Sequence, residues 1–207
     1  MLVPTLLLTL AQAAAPPPAP PAAKPEPAGP VVELLTSLGS IKVALDPERA
    51  PITVKNFLEY VRAGFYDGTV FHRVMPNFMI QGGGLTPDLE EKPTRPAIRN
   101  EARNGVRNSR GTIAMARTDS PNSATSQFFI NVRDNHRLDF GIGGAGYAVF
   151  GAVVEGMDVV DRIVAVPTAA RGVHGNLPVT PVVIRTAREV KAAAGRVAPA
   201  RPAPPKP

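Results

Sequence analysis

The chain has 207 residues, with 24 prolines, no cysteine and a formal net charge of +6. The length suits one domain with terminal extensions, and the lack of cysteine excludes disulfide scaffolds, thiolate metal sites and cysteine nucleophiles. Residues 186–207 carry five basic residues against one acidic residue, so +4 of the charge lies there, whereas residues 31–185 carry about +2. The basic excess therefore belongs mainly to the C-terminal tail and does not predict a nucleic-acid-binding surface.

The N-terminus has the pattern of a secretory signal. Residues 2–10 form an apolar run followed by an A-x-A-like sequence, so we expect a signal peptide over residues 1–15, cleaved near Ala13 to Ala15. The run is shorter than the roughly 20 residues that span a bilayer, and no membrane span is expected. The pattern predicts a periplasmic or secreted protein. Because no lysine or arginine precedes the run, a cytoplasmic protein with an irregular N-terminus is the alternative.

Two further segments are rich in alanine and proline. Residues 16–30 and 199–207 hold 13 of the 24 prolines. Such sequences do not build a packed core. We therefore expect residues 16–30 to be a disordered spacer and residues 191–207 a disordered basic tail. The folded domain is expected over residues 31–190.

The hydrophobic pattern of the middle of the chain predicts many short strands and two helices. Apolar runs at 31–36 and 41–45 flank a turn that contains Gly39, which is typical of a hairpin. The spacing of apolar residues predicts helices over 51–63 and 157–164. The pattern favours an antiparallel barrel or sandwich over a doubly wound sheet. Further strands are expected over 70–74, 79–81, 112–115, 128–132, 148–154 and 181–190.

Common catalytic motifs are scarce in this sequence. His72, His136 and His174 lack an obvious serine partner and the spacing of a metal site, so no metal is expected. Residues 141–146 match G-x-G-x-x-G, but no strand leads into them and a strand-like sequence follows. We therefore expect a flexible surface loop there and no dinucleotide cofactor. The long polar stretch 85–110 is expected to be functional or partly ordered.

Two segments rich in aromatic residues predict a wall on one side of the sheet. Because alternate residues of a strand share a face, Phe71 and Arg73 are expected on one side. His72 and Val74 are expected on the other, and His72 is interpreted as structural. Alternatively, the aromatic residues are plain core and Arg73 is a solvated surface charge. A shallow apolar pocket with a cationic donor at its rim would be lined by Arg73, Met79, Gln81 and Phe129.

Five segments together resemble the sequence of a known family. They are residues 71–74 (FHRV), 78–83 (FMIQGG), 111–118 (GTIAMART), 126–131 (SQFFIN) and 147–151 (YAVFG). Their order and spacing are similar to those of the cyclophilin family of peptidyl-prolyl cis-trans isomerases, and most similar to its bacterial, often periplasmic branch. The resemblance extends over nearly all of the expected domain.

The resemblance implies a mainly β fold, a closed eight-stranded antiparallel β-barrel capped by two α-helices, with the active face on the outside. It also implies a monomeric enzyme that isomerises X-Pro bonds in proline-containing polypeptides, without a cofactor, a metal or a nucleic-acid partner. A non-catalytic module that binds proline-containing segments on the same fold is the alternative. A basic nucleic-acid binder is disfavoured, because the domain is nearly neutral and lacks an arginine and aromatic platform.

By resemblance, Arg73 and Gln81 are the catalytic residues. Arg73 would donate a hydrogen bond to the prolyl nitrogen, and Gln81 would hold Arg73 or the substrate carbonyl. Ala116 would offer its backbone groups to the peptide. The pocket for the proline ring would be formed by Phe78, Met79, Phe129 and Leu138.

Three positions depart from the eukaryotic form of the family pattern. Arg137 stands where that form has a tryptophan, Tyr147 where it has a histidine, and Arg117 where it has an asparagine. Tyr147 keeps an aromatic ring, so activity is expected to survive. The missing indole predicts weak binding of cyclosporin. Arg117 and Arg137, both expected to bind substrate beside the pocket, suggest a preference for acidic residues flanking the proline.

Overall fold

In the computed structural model, which describes residues 29–190, the folded chain starts with the expected hairpin. β1 (Val31–Thr36) and β2 (Gly39–Leu45) are antiparallel, and Leu34 lies opposite Ile41. Both of these side chains are fully buried, because the alternation of each strand directs them to the same side of the sheet. The predicted signal peptide, most of the predicted spacer and the predicted basic tail lie outside the described residues.

Two helices pack against the sheet and confirm the helical predictions. The first, α1 (Pro51–Arg62), begins with a proline, whose missing N–H is no loss in a first turn. The carboxylate of Glu101 accepts hydrogen bonds there from the backbone N–H groups of Ile52 (3.1 Å) and Thr53 (2.8 Å). The second, α2 (Met157–Val164), buries an apolar stripe. Within residues 29–190, no helix is long and apolar enough to cross a membrane.

The described residues form ten strands, arranged as one large sheet and one small hairpin. The strands after the first hairpin are β3 (Phe71–Met75), β4 (Met79–Gly82), β5 (Thr112–Met115), β6 (Phe128–Asn131), β7 (Val149–Glu155), β8 (Thr168–Arg171), β9 (His174–Pro178) and β10 (Ile184–Val190). The large sheet has eight strands in the order β10-β1-β2-β7-β5-β6-β4-β3, and β8 pairs with β9. These pairings are antiparallel. The β8–β9 hairpin is not among the predicted elements.

The large sheet curls until its edge strands, β3 and β10, approach each other at one end. There Val70 forms a bridge with Val183, and the N–H of Phe71 donates to the carbonyl of Val182 at 2.9 Å. β3 and β10 are not paired along their lengths. The mainly β fold with two helices is confirmed. The barrel is less completely closed than predicted, because its edge strands meet only at one end.

Aromatic rings fill the inside of the curled sheet. Phe57 of α1 contacts the rings of Tyr66, Phe128 and Phe150 at centroid distances of 5.2, 5.6 and 5.1 Å. All four side chains are fully buried. Such ring pairs contribute about 0.5–1.5 kcal/mol each beyond the area they bury. Because the interior is packed with side chains, a binding site has to lie on the outer face of the sheet or in the loops.

A β-bulge in β3 changes the side of the sheet that some of its side chains face, compared with the prediction. Phe71 lies opposite Gly82 and Arg73 lies opposite Gln81, so two steps along β3 correspond to one step along β4. The extra residue is His72. Because a bulge shifts the alternation by one residue, Phe71 faces the interior core and Arg73 is exposed. The prediction that these two side chains share a face was wrong.

The polar stretch 85–110 is tied to the domain by specific contacts. Ile98 forms a bridge with Ala124, and a short 3₁₀ helix spans Ala102–Asn104. The stretch also contributes Glu101, the residue that caps α1. It therefore supports the helix, which is a structural role for a segment that has little regular structure of its own.

His72 is buried, with 6 % of its surface exposed, beside His174 of β9. The two ring centroids are 6.1 Å apart. Nδ1 of His72 has no hydrogen-bond partner among the described residues. Burial, followed by the neighbouring charge of His174, lowers the pKa of His72 from 6.5 to about 4. His72 is therefore neutral near pH 7, which agrees with its interpretation as a structural residue.

The lowered pKa predicts that acid destabilises the fold through His72. In the unfolded chain His72 binds a proton near pH 6.5, whereas in the folded chain it does so only near pH 4. The contribution of His72 to the free energy of unfolding is therefore constant above this window and falls as the pH decreases through it. The loss by pH 4 amounts to at most about 3 kcal/mol. Urea unfolding monitored by circular dichroism between pH 7 and 4 should show a smaller loss in His72→Gln than in wild type.

The variant His174→Gln provides the matched comparison. Burial is the larger cause of the shift, so this variant should reduce the pH-dependent loss without abolishing it. Identical pH dependence in wild type and His72→Gln would show that His72 does not link protonation to folding.

Candidate active site

Paired strands align the functional side chains in a row on the outer face of the sheet. Arg73 of β3 lies opposite Gln81 of β4, and Gln81 lies opposite Phe129 of β6. Phe129 in turn lies opposite Ala114 of β5. Directly opposed residues of neighbouring strands lie close enough for their side chains to interact. Four strands therefore bring together residues that are far apart in the sequence.

A small apolar cluster lies on this outer face, separate from the interior core. Met79, Ala114, Phe129 and Val149 are its buried members. Along β6 the neighbours Phe128 and Phe129 belong to the interior core and to the outer cluster respectively, as the alternation of a strand requires. Partly buried side chains that pack against the cluster are Met75, Phe78, Val106, Ala116, Leu138 and Tyr147.

The cluster surrounds a depression of about 160 Å³, which we call the outer pocket. Nine of the ten residues predicted to form the site line this pocket. Five of the nine lining residues are apolar and Tyr147 adds a ring, while two arginines and a glutamine supply polar groups. The lining residues are Arg73, Phe78, Met79, Gln81, Ala116, Arg117, Phe129, Leu138 and Tyr147.

Arg73 is held by neutral partners. Its Nη1 lies 3.4 Å from Oε1 of Gln81, and Nε2 of Gln81 donates to Oε1 of Gln127 at 2.9 Å. The guanidinium carbon lies 6.0 Å from the ring centroid of Phe78. No ion pair within residues 29–190 includes Arg73. Its charge is therefore not neutralised, and several of its five N–H donors remain available to a ligand.

Gln127 is a member of the site that the sequence analysis did not assign. It continues the hydrogen-bond chain that begins at Arg73 and passes through Gln81. A signal was available, since Gln127 stands two residues before Phe129 and the alternation rule places both on the same face.

Arg117 and Tyr147 form one wall of the outer pocket. The guanidinium carbon of Arg117 lies 4.4 Å from the centroid of the Tyr147 ring, which packs edge-to-face on Phe129 at 5.6 Å. Nε of Arg117 donates to the carbonyl of Gly146 at 3.0 Å, and Nη1 donates to the carbonyl of Thr118 at 2.8 Å. Arg117 is thus fixed by backbone carbonyls and serves largely as a packing surface.

Arg137 lies beside the outer pocket and is not part of its wall. It is exposed on a 3₁₀ helix, His136–Leu138, whose last residue does line the pocket. Successive side chains of a 3₁₀ helix are about 120° apart, so neighbours in sequence face different directions. Arg137 therefore lies beside the pocket without contributing to its wall.

The glycine-rich loop 141–146 lies on the surface near the site. The N–H of Gly141 donates to the carbonyl of Gly144 at 3.0 Å, which closes a tight turn. The next element is a strand, β7, which begins three residues after the loop at Val149. The loop therefore lacks the helix N-terminus to which a pyrophosphate binds in a dinucleotide site.

Comparison with known proteins identifies the family. A model of the family described as cyclophilin type peptidyl-prolyl cis-trans isomerase/CLD matches residues 31–189. The chain belongs to this family. It is 56% identical over 160 residues to peptidyl-prolyl cis-trans isomerase A of Dickeya dadantii, covering 77% of this chain and 84% of the relative. It is 52% identical over 159 residues to peptidyl-prolyl cis-trans isomerase B of Escherichia coli, covering 75% of this chain and 97% of the relative.

Solved cyclophilin structures share the fold. A cyclophilin-type isomerase of Cryptosporidium parvum, crystallised in the presence of the dipeptide Ala-Pro, superposes with a TM-score of 0.68 at 25% identity. The match covers 78% of this chain and 99% of that one. A cyclophilin of Hirschia baltica gives a TM-score of 0.62 at 24% identity, covering 82% and 75%. The predicted resemblance to a bacterial cyclophilin is confirmed, and the chain is a peptidyl-prolyl cis-trans isomerase.

Proposed function

We propose that the outer pocket binds the proline ring of a polypeptide and that Arg73 stabilises the twisted amide during isomerisation. The observation that carries this proposal is the position of an unpaired guanidinium at the edge of a small apolar pocket. A pocket of about 160 Å³ is smaller than the roughly 300–1,000 Å³ of sites for drug-sized ligands. It suits one small ring, with the rest of the polypeptide outside.

The chemistry requires a donor at a defined point and no nucleophile. Rotation about an X-Pro bond is slow because the amide resonance must be lost, at a barrier of about 18–20 kcal/mol. As the amide twists, the prolyl nitrogen regains its lone pair and becomes a hydrogen-bond acceptor. A donor directed at this nitrogen binds the transition state better than the planar ground state, which is the condition for catalysis.

Arg73 meets the requirements for that donor. It stays charged at any physiological pH and presents its N–H groups in a rigid plane. Gln81 accepts from Arg73 while donating to Gln127, so the guanidinium is oriented without a carboxylate that would neutralise it. We assign Gln81 and Gln127 as positioning residues. Ala116, which lines the pocket, is assigned to offer backbone groups to the substrate.

The alternative is a module that binds proline-containing segments without turnover. Such a module needs the apolar wall formed by Met79 and Phe129 but not an oriented cation. The hydrogen-bond chain through Gln81 favours the catalytic assignment.

Substitution of Arg73 tests its role directly. Arg73→Ala should reduce kcat/KM for a proline-containing peptide by about 100-fold or more, as the loss of a donor to a developing charge does elsewhere. The free energy of unfolding should change little, because Arg73 is exposed and makes no ion pair among the described residues. The measurement is a peptide isomerisation assay on the full chain, with urea unfolding as the stability check.

Arg133→Ala is the matched control, since Arg133 is also exposed and without an ion pair in the described part of the chain. It should keep wild-type activity. Full activity in Arg73→Ala would remove the proposed role of Arg73, whereas a wild-type chain without acceleration would leave only the binding module.

We also propose that cyclosporin binds this chain weakly. Arg137 occupies the position of the tryptophan in the eukaryotic pattern, and it is exposed beside Leu138 instead of lining the pocket. Arg137→Trp should restore an indole donor and apolar area, and should lower the inhibitory concentration by roughly tenfold. The assay is inhibition of peptide isomerisation, with Arg133→Trp as the control. Nanomolar inhibition of wild type would contradict the proposal.

For localisation, we propose that the chain is exported and acts on proteins that fold in the periplasm or outside the cell. The support is the apolar run over residues 2–10 and the A-x-A-like sequence that follows it. N-terminal sequencing of the protein from its native cell should find a mature N-terminus between residues 14 and 16. An intact Met1 in the cytoplasmic fraction would contradict export.

A further inference from the structure

A second depression lies beside the outer pocket and is not used by the mechanism. It has a volume of about 270 Å³, and we call it the arginine groove. Its polar lining includes Arg103 and Arg107, and its apolar lining includes Val106, Phe140 and Ile142. It therefore combines positive charge with exposed apolar surface.

The arginine groove and the outer pocket are adjacent. Val106 lines the groove and packs against the apolar cluster that contains Met79 and Phe129. On the other side, Leu138 lines the pocket and Phe140 lines the groove, with one residue between them in the chain. A polypeptide that places a proline in the pocket has the groove within reach of its neighbouring residues.

The charge of the arginine groove is not balanced by nearby carboxylates. Residues 99–147 contain seven arginines and four acidic residues, whereas the other described residues contain eleven basic and twelve acidic ones. Of those seven arginines, only Arg110 takes part in an ion pair among the described residues. Arg103 and Arg107 are both exposed.

The acidic residue in the lining of the groove does not neutralise these arginines. Asp139 is buried, and its Oδ1 accepts from the backbone N–H of Asn108 at 2.7 Å and from Nδ2 of the same residue at 3.1 Å. Its Oδ2 lies 3.3 Å from Nδ1 of His136. The nearby Glu101 is likewise occupied, because it caps α1.

Two exposed apolar side chains define the rest of the groove. Phe140 is 42% exposed and Ile142 is 67% exposed, and they are two of the five large apolar residues with this degree of exposure in the described chain. The guanidinium carbon of Arg103 lies 4.6 Å from the centroid of the Phe140 ring. This cation–π contact orients the arginine over an apolar surface.

We propose that the arginine groove is a second substrate subsite, which binds an acidic residue next to an apolar one in the polypeptide whose proline occupies the outer pocket. Charge complementarity selects this occupant, since two unpaired guanidinium groups favour a carboxylate and Phe140 and Ile142 favour an apolar neighbour. The proposal rests on the proposed function. It assigns the acidic preference to Arg103 and Arg107, because these two line the groove beside exposed apolar side chains, whereas Arg117 is fixed by backbone carbonyls.

The test compares matched peptides on the full chain. Each peptide has one proline and a Glu-Leu pair, or its Gln-Leu counterpart, placed at increasing distances before or after the proline. At low salt, the best-placed acidic peptide should show a kcat/KM about three- to tenfold above its neutral counterpart, the range expected for a few exposed charges. The double variant Arg103→Gln/Arg107→Gln should remove this ratio and leave the neutral peptide unchanged.

The double variant Arg171→Gln/Arg185→Gln is the matched control for net charge, because both arginines are exposed and form no ion pair among the described residues. It should keep the acidic preference. An equal loss in this control would show that overall charge is responsible and would overturn the subsite. Equal kcat/KM values for the acidic and neutral peptides in wild type would also overturn the subsite. A difference between the two peptides that survives in the Arg103→Gln/Arg107→Gln variant would do the same.

A binding measurement separates failure of the subsite from failure of the proposed function. The Kd values of the same peptides, with amide NMR shifts as a reporter of location, do not depend on turnover. The subsite is supported if the acidic peptide selectively shifts the amide signals of residues 103, 107 and 140. The Kd of that peptide should also rise at least about threefold in the Arg103→Gln/Arg107→Gln variant. Shifts confined to the outer pocket overturn it, whereas absence of acceleration for every peptide overturns only the catalytic role of Arg73.

Discussion

The β-bulge at His72 determines which side of the sheet Arg73 faces. With regular alternation, Arg73 would share the interior face with Phe71, where an unpaired guanidinium costs several kcal/mol. The extra residue lets Phe71 remain in the core while Arg73 stands in register with Gln81 on the outer face. The bulge in turn leaves His72 unpaired in the ladder, and the ring of His174 from the β8–β9 hairpin lies against it. The exposure of Arg73 beside Gln81 and the burial of His72 beside His174 are two consequences of one backbone feature.

The two faces of the sheet have different roles: one packs the interior core and the other carries the outer pocket. Phe128 packs against Phe57 in the interior, and its neighbour Phe129 forms the floor of the outer cluster. The pocket is therefore built on strands whose reverse side is a close-packed core, which restricts the movement of the wall. This rigidity matters because the proposed mechanism depends on a donor that is already oriented when the amide twists. The chain from Gln127 through Gln81 to Arg73 supplies that orientation.

The sequence predicted most of the elements because their patterns are local. β4 and β6 pair without a register shift, and Met79 and Phe129, which were predicted to share one wall, lie together in the outer cluster. The sequence of β3 did not indicate the bulge, because a bulge is defined by the register between β3 and β4. The cap on α1 was equally invisible, because Glu101 is 48 residues from Thr53. The β8–β9 hairpin is largely exposed and has little apolar alternation to reveal it.

The candidate site was predictable for a different reason. No local pattern distinguishes Leu138 or Tyr147 from other partly buried residues, and only the family motifs indicated them. Those motifs specify order in the sequence but not the direction of each side chain, so Arg137 was grouped with its neighbour Leu138 although the 3₁₀ helix separates them. Gln127 was missed for the converse reason: its direction followed from alternation, but its hydrogen bond to Gln81 depends on strand pairing.

The distribution of charge separates two roles for the arginines of this domain. Arg62 and Arg188 form ion pairs with Glu189 and Asp67, which join α1 and the loop that follows it to β10. Arg103 and Arg107 form no ion pair with any of residues 29–190. Exposed ion pairs contribute only about 0–1 kcal/mol to folding, so leaving these arginines unpaired costs the fold little. Unpaired surface charge instead raises the rate at which oppositely charged chains arrive, because the attraction acts over about one Debye length, roughly 10 Å at 0.1 M salt. In the proposed function the outer pocket recognises one proline ring, so charged surroundings such as the arginine groove are the part of the surface that can distinguish one client from another.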